Sequence, residues 1–316
     1  MAVRPMIWVL LRMQALAAPT TELTVAERRA ASAQGAEKLS KFFRRAKEPL
    51  TVVDHEVPLP AGGHVSVRSY TPAGVKPLAG HLYMHGGAFW LGSVEEYDEL
   101  TRWYAAKAGC VVVSVDYSLA PELKYPTQVE ECYAALLWMA ENVEALGIDP
   151  ARISVGGTSA GGSLAAAVTL MARDRHGPPI RFQLLEIPAT DCGVDHPSMH
   201  EFADGYGLTR EEIVEAIDFY LADPSQADEP YASPLRAKDL SGLPPTAILT
   251  CEYDPLRDEG EAFGARLREA GVQVAVRRYS GHIHASSYAT RLMPSARRYL
   301  DDVRRALIAA HEVGKD

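Results

Sequence analysis

The sequence predicts an α/β fold, with a mostly parallel central sheet and helices on both faces. Three observations predict it. Short apolar runs, Gly80–Met84, Cys110–Val115, Gln183–Ile187 and Thr246–Thr250, are separated by helical stretches, the pattern of βαβ units. The stretch Arg152–Met171 passes from a strand at Ile153–Val155, through a glycine-dense turn around Ser159, into a helix rich in Ala and Leu. Composition is ordinary for a globular chain: 316 residues, 47% hydrophobic and 23% charged, a length that suits one α/β core with an appendage.

Residues 1–48 read as helical. Thr24 is placed to cap the run from Val25, and good helix formers continue to Lys47 before Glu48-Pro49 stops them. The apolar run Met6–Leu11 is cut by Arg12, short of a signal-peptide core, and no run reaches transmembrane length. A cytoplasmic protein without an integral membrane segment is therefore expected. Residues 51–70 alternate in polarity around the turn signal Pro60–Gly63, which predicts a hairpin. The strand Gly80–Met84 leads into the loop His85–Trp90. A helix over Glu96–Ala108, the buried strand Cys110–Val115 and a helix over Val129–Leu146 come next.

After the strand–turn–helix at Ser159, Pro188 ends the strand Gln183–Ile187, and a helical insert at about 200–224 interrupts the alternation. Then come the strand Thr246–Thr250, a helix over Asp258–Ala270 closed by Gly271, the strand Val272–Val276 and a terminal helix over Thr290–His311. No internal repeat or low-complexity linker divides the chain. The expected organisation is a helical cap segment (1–48) on a core domain (49–316), with the insert at 200–224 completing the cap. Ligands of such sheets bind beyond the C-terminal strand ends.

Charge and cysteine content exclude several classes. A net charge of −9 argues against nucleic-acid or anionic-membrane partners. Cys110, Cys132, Cys192 and Cys251 form no C-x-x-C pair and read as buried free thiols. No Cys/His cluster has zinc spacing, so neither a metal nor a cofactor is expected.

Gly157-Thr-Ser159-Ala-Gly161 fits G-x-S-x-G, a tight turn that lifts a serine hydroxyl clear of its neighbours. The motif alone would arise by composition in about one chain in ten of this length. Its strand–turn–helix setting raises it, and the remaining question is whether other strand ends supply a base, an acid and oxyanion donors. Asp254 lies four residues beyond the strand ending at Thr250; Asp258 reads better as a helix cap, and Asp191 is a reserve. After the next strand come His282 and His284, which spacing alone does not separate. In the loop His85-Gly86-Gly87-Ala88, consecutive glycines free amide N–H groups to join that of Ala160 as donors to an oxyanion. His85 reads as an anchor of that loop, and Phe89 and Trp90 as packing residues that could wall the entrance.

His85–Trp90, Asp116-Tyr-Ser-Leu-Ala-Pro-Glu122, Gly157–Gly162, Asp254–Gly260 and Gly281-His-Ile-His284 stand in the order found in microbial esterases. From about residue 20 onward the chain resembles the hormone-sensitive-lipase family of α/β-hydrolases. That resemblance implies the α/β-hydrolase fold, with Ser159 as nucleophile, Asp254 as acid, His284 as base (it closes the family's Gly-x-x-His pattern), and Gly86, Gly87 and Ala160 as the oxyanion hole. It implies a serine carboxylesterase for short- to medium-chain acyl esters, with a small-molecule ester as partner and a homodimer as a compatible assembly. An amidase, lactonase or metabolite deacetylase would use the same triad; a non-catalytic ligand binder is disfavoured by the presence of all three residues. Three departures stand out: Ala88 for a third glycine, Ser118 for an arginine, with loss of an ion pair expected, and Ala285-Ser286 for Gly-Phe beside the base.

Overall fold

The computed structural model describes residues 3–17 and 23–312. Eight strands form one sheet: β1 (Leu50–Pro58), β2 (His64–Pro72), β3 (Leu78–Met84), β4 (Val111–Asp116), β5 (Ile148–Thr158), β6 (Phe182–Glu186), β7 (Thr246–Tyr253) and β8 (Val274–Ile283). Their spatial order is β1-β2-β4-β3-β5-β6-β7-β8. β1 pairs antiparallel with β2, and β2 antiparallel with β4; every pairing from β4 across to β8 is parallel. β3 and β6 lie in the middle of the sheet with both faces covered, which is why their sequences read as continuous apolar runs without alternation.

The helices are α1 (Pro5–Ala17), α2 (Val25–Ser40), α3 (Asp98–Ala108), α4 (Thr127–Glu141), the single turn α5 (Val143–Leu146), α6 (Ala160–Asp174), α7 (Pro197–Glu201), α8 (Arg210–Tyr220), α9 (Arg257–Glu269) and α10 (Pro294–His311). α6 is buried from Ala160 to Ala172, and its Ala- and Gly-rich sequence lets it lie against β5 while α4 packs on it. α10 buries Tyr299, Leu300, Val303 and Leu307 at helical spacing, in one apolar cluster with Trp103 and Tyr104 of α3. α7 and α8 occupy the expected insert between β6 and β7. Residues 1, 2 and 18–22 of the expected N-terminal cap segment lie outside the described residues; within it, Thr24 caps α2 in a capping box with Glu27.

Several boundaries differ from the sequence expectation, each for a local reason. α2 ends at Ser40, and residues 44–48 are non-helical although they are good helix formers. The expected helix over Val129–Leu146 is broken at Asn142, whose side-chain amide donates to Trp138 O at 2.8 Å and stops α4. The terminal helix begins at Pro294, a first-turn proline, rather than at Thr290. β8 is displaced the most: it runs through Arg277 and Arg278 to Ile283, so that His282 is a strand residue. The exposed arginines of this sheet-edge strand hid it, because an edge strand need not alternate cleanly.

Candidate active site

Ser159 sits between β5 and α6 with φ 57 and ψ −119, a conformation that non-glycine residues rarely adopt. The surroundings hold it there. Its N–H donates to Glu186 O at 2.8 Å, and its carbonyl accepts from the N–H of Gly162 at 2.9 Å and of Ala189 at 3.2 Å. The glycines of the motif are required by close approach. A Cβ at Gly161 would lie 2.1 Å from Met84 O, and one at Gly157 2.2 Å from Gly161 O. Sequence therefore forces the turn, and the turn presents the hydroxyl.

His284 follows β8 directly. Its Nε2 lies 3.0 Å from Ser159 Oγ, and its Nδ1 lies 2.8 Å from Asp254 Oδ2. Asp254 is buried just past β7, and its other oxygen accepts from Leu256 N–H at 2.9 Å, which fixes the carboxylate plane. A carboxylate can only accept, so the Nδ1 proton points at Asp254, and Nε2 is left with a lone pair toward the serine hydroxyl. The structure thus brings together Ser159, His284 and Asp254 from three strand ends.

The other histidine does something different. His282 is fully buried with Nδ1 2.8 Å from Ser286 Oγ, and that hydroxyl also donates to Ile283 O at 2.8 Å. Burial, with Arg4 and Arg298 nearby, pushes its pKa down to about 4, so it stays neutral. Ser286, a departure from the family pattern, thereby ties the turn beyond His284 to β8. Ala285 takes φ 56 in that turn. Asp258 lies in the first turn of α9, accepting from Ser198 N–H at 2.9 Å and pairing with Arg257. Asp191 is held by Arg236 at 2.6 Å and His196 at 3.0 Å, which lower its pKa to about 2; it has no contact with His284.

The loop after β3 carries the amides of Gly86 and Gly87. Neither they nor the Ala160 N–H, at the first turn of α6, enter a hydrogen bond among the described residues. A Cβ at Gly86 would meet Thr158 O at 2.9 Å and Ser159 Cβ at 3.5 Å, so this backbone lies directly against the nucleophile's turn. His85 anchors the loop as expected: Nδ1 is 2.7 Å from Gly86 O, and the ring stacks on Tyr117 at 4.2 Å. Tyr117 in turn donates to His85 O at 2.8 Å, a support that nothing in the sequence motif signalled. Ala88 adopts φ 54 in the third-glycine position, a left-handed conformation costing on the order of 1 kcal/mol for alanine.

Beside Ser159 lies a narrow cavity of about 40 Å³, lined by Phe89, Ala189, Leu208, Ile213, Ile217 and Leu256 among others. The insert supplies much of this wall through Leu208 and α8, and Phe89 stacks on Tyr220 of α8 at 3.8 Å. Trp90 does not line it. Its ring takes the Arg28 guanidinium at 4.3 Å and packs on Phe219, so it serves as a dock between α2 and α8. The place of the missing arginine at Ser118 is also clear: the serine N–H and hydroxyl both donate to the buried Glu131 carboxylate, at 2.6 and 2.7 Å. A larger groove of about 910 Å³, between residues 43–48, α3 and α10, contains none of the three site residues.

Comparison with known proteins places the chain in one family. A family model described as an α/β hydrolase fold matches residues 81–287. An arylesterase of Saccharolobus solfataricus is 39% identical over 233 residues, 73% of this chain and 73% of its own. The carboxylesterase NlhH of Mycobacterium tuberculosis is 37% identical over 275 residues, 84% of this chain and 86% of its own. Among solved structures, a hyperthermophilic esterase from the archaeon Pyrobaculum calidifontis superposes with a TM-score of 0.92 at 37% identity, covering 98% of this chain and 99% of that one.

Proposed function

The chain belongs to the hormone-sensitive-lipase family of α/β-hydrolases and is a carboxylic ester hydrolase; from that premise we propose that it works through an acyl-enzyme on Ser159 and prefers short- to medium-chain acyl groups. The observation that carries this reading is the continuous relay from Ser159 Oγ to His284, 3.0 Å, and from His284 to Asp254, 2.8 Å, beside three uncommitted amides. Ser159 Oγ attacks the ester carbonyl while His284 Nε2 takes its proton. The tetrahedral oxyanion is held by the N–H groups of Gly86, Gly87 and Ala160, an interaction that typically lowers a barrier by several kcal/mol. Imidazolium then protonates the departing alcohol, leaving the acyl group esterified to Ser159. Water, deprotonated by the same nitrogen, attacks that ester; collapse releases the acid and returns the proton to Ser159.

The small cavity supports short acyl chains, and α8 with Leu208 forms one side of it. We extend the reading to a cap made of the N-terminal helices and the insert, supported by the contacts that α2 makes with both the β3 loop and α8. A cytoplasmic location is supported by the four free, buried cysteines, and a homodimer by β8, which ends the sheet. Among the described residues no helix is long and apolar enough to cross a membrane.

A chain-length series of p-nitrophenyl esters tests the activity and its range together. kcat/KM is expected to be highest for short and medium acyl groups and to fall steeply for long ones. Ser159→Ala should lose on the order of 10⁴-fold or more in kcat and fail to react with a fluorophosphonate. Wild-type turnover in Ser159→Ala would remove the acyl-enzyme mechanism.

A further inference from the structure

We propose that Glu186, the last residue of β6, is a positioning residue for the Ser159–His284 pair, acting through a buried chain of hydroxyl groups that its carboxylate orients. This rests on the serine-hydrolase reading above. The carboxylate lies directly behind the nucleophile. Thr158, which precedes Ser159, is its register partner across the β5–β6 pair, and the Glu186 carbonyl itself accepts the Ser159 N–H at 2.8 Å. Its side chain is buried at 2% exposure, where a carboxyl group needs a reason to be.

The surroundings are hydroxyls. Tyr104 of α3 donates to Glu186 Oε1, and the hydroxyls of Tyr299 of α10 and Thr158 lie against the same carboxyl. Thr158 Oγ1 is 2.9 Å from the Tyr83 hydroxyl, and the Tyr288 hydroxyl lies near both. Tyr288 closes the 3-10 turn Ser286–Tyr288, which begins two residues after His284. A chain of hydroxyls therefore runs from the turn that carries the base, through the residue before the nucleophile, to one carboxyl. The wider set facing it comprises Tyr97, Tyr279 of β8 and Cys251 of β7; His81 packs on Tyr83 and Tyr104, and His282 and Arg277 lie against Tyr279.

An ionised carboxylate only accepts, so it takes the Tyr104 hydroxyl proton and leaves the neighbouring Thr158 hydroxyl free to donate to it, while the Thr158 oxygen accepts from Tyr83. Protonation makes the carboxyl a donor at one oxygen, and a hydroxyl must turn away. The direction of the chain at Thr158 and Tyr288 reverses with it. Burial raises the Glu186 pKa to about 7, partly offset by the donated hydroxyl bonds, so both states are populated near neutrality. The ionised state is the one that holds the turn in register for His284.

The experiment is the pH dependence of kcat, with KM followed alongside. Neutral imidazole is needed by any histidine base and gives an acid limb of slope one; a second required ionisation makes the limb steeper, approaching slope two. Wild type should show the steeper limb. Glu186→Gln keeps the shape but puts an NH₂ donor where an oxygen accepts, so it should show slope one and a kcat about tenfold below wild type at pH ~8, with KM within about twofold. Tyr104→Phe removes one donor to the carboxylate and should move the second ionisation about one pH unit higher. A steep limb surviving in Glu186→Gln, or an unmoved ionisation in Tyr104→Phe, overturns the proposal. If Glu186→Gln does not fold, the Tyr104→Phe profile decides alone. Ser159→Ala separates the two readings: if it retains turnover the acyl-enzyme fails, whereas an inactive Ser159→Ala beside unchanged Glu186→Gln and Tyr104→Phe profiles defeats only the role of Glu186.

Discussion

At Ser159 the chain accepts a strained backbone, φ 57, because four neighbours leave it no other: the Glu186 carbonyl, the Ala189 amide and the two glycines that let Met84 and Gly161 carbonyls come close. Such strain is legible in sequence, since only glycines at Gly157 and Gly161 tolerate the approach. The histidine was less legible. Spacing alone leaves His282 and His284 equal, because the polar face of β8 reads as loop and places both residues past a strand. In three dimensions one is a strand residue locked to Ser286, and the other faces Ser159 and Asp254. Their substitutions should therefore part cleanly. His284→Ala is expected to lower kcat by about 10⁴-fold with an unchanged melting temperature. His282→Ala leaves a buried hydroxyl and a cavity behind, so it should cost about 1–3 kcal/mol of stability and only a modest factor in kcat. Steady-state kinetics with thermal melts on both variants checks this; an inactive, fully stable His282→Ala would show that the roles are exchanged.

Among the elements, the central strands were the most readable and the cap helices the least. β3 and β6 are covered on both faces, so their apolar runs could mean little else. α2 is different in kind: it has a good capping box but no buried residue at all. Its periodicity says little about where it docks, since apart from Val25, which packs beside Trp90 and Ala216, charged side chains hold it. Arg29 donates to Trp90 O at 2.9 Å, Ala120 O at 2.6 Å and the Glu122 carboxylate. Arg28 makes a two-pronged bond to Glu215 of α8 and lies over Trp90. Each exposed ion pair contributes only about 0.2–1 kcal/mol and weakens with salt, so α2 should be the first helix to leave the body. The Arg28→Ala/Arg29→Ala double variant should exchange amide hydrogens across 25–40 much faster while the sheet stays protected, and added salt should do the same to wild type in weaker form. Equal protection of α2 in variant and wild type would mean that another contact holds it.

Over the whole molecule, acidic charge sits mostly at the surface, and Glu186 is a buried exception with a measurable thermodynamic signature. The helices and strands that enclose it come from stretches far apart in sequence, among them β3, α3, β5 and α10, so the site around it exists only in the folded chain, and no window of sequence displays it. At the end of an apolar strand a glutamate looks like the first solvent-facing residue; only the packing of α3 and α10 onto that strand end makes it interior. Its folded pKa is about 7 against an ordinary value of 4.5, so between those limits the native state keeps a proton that the unfolded state has lost. The stability that this raised pKa provides is fully present below pH 4.5, declines as pH rises, and is gone above the folded value; the loss is on the order of 3 kcal/mol. Glu259, also buried with a raised pKa, adds a loss of the same sign, but it is common to wild type and any Glu186 variant. Subtracting the two curves isolates Glu186. In urea or thermal unfolding, Glu186→Gln should gain on wild type as pH rises from about 5 to about 8, ending about 5 °C ahead of its relative position in acid. Parallel stability curves for the two proteins across that range would mean that the buried carboxyl does not titrate there.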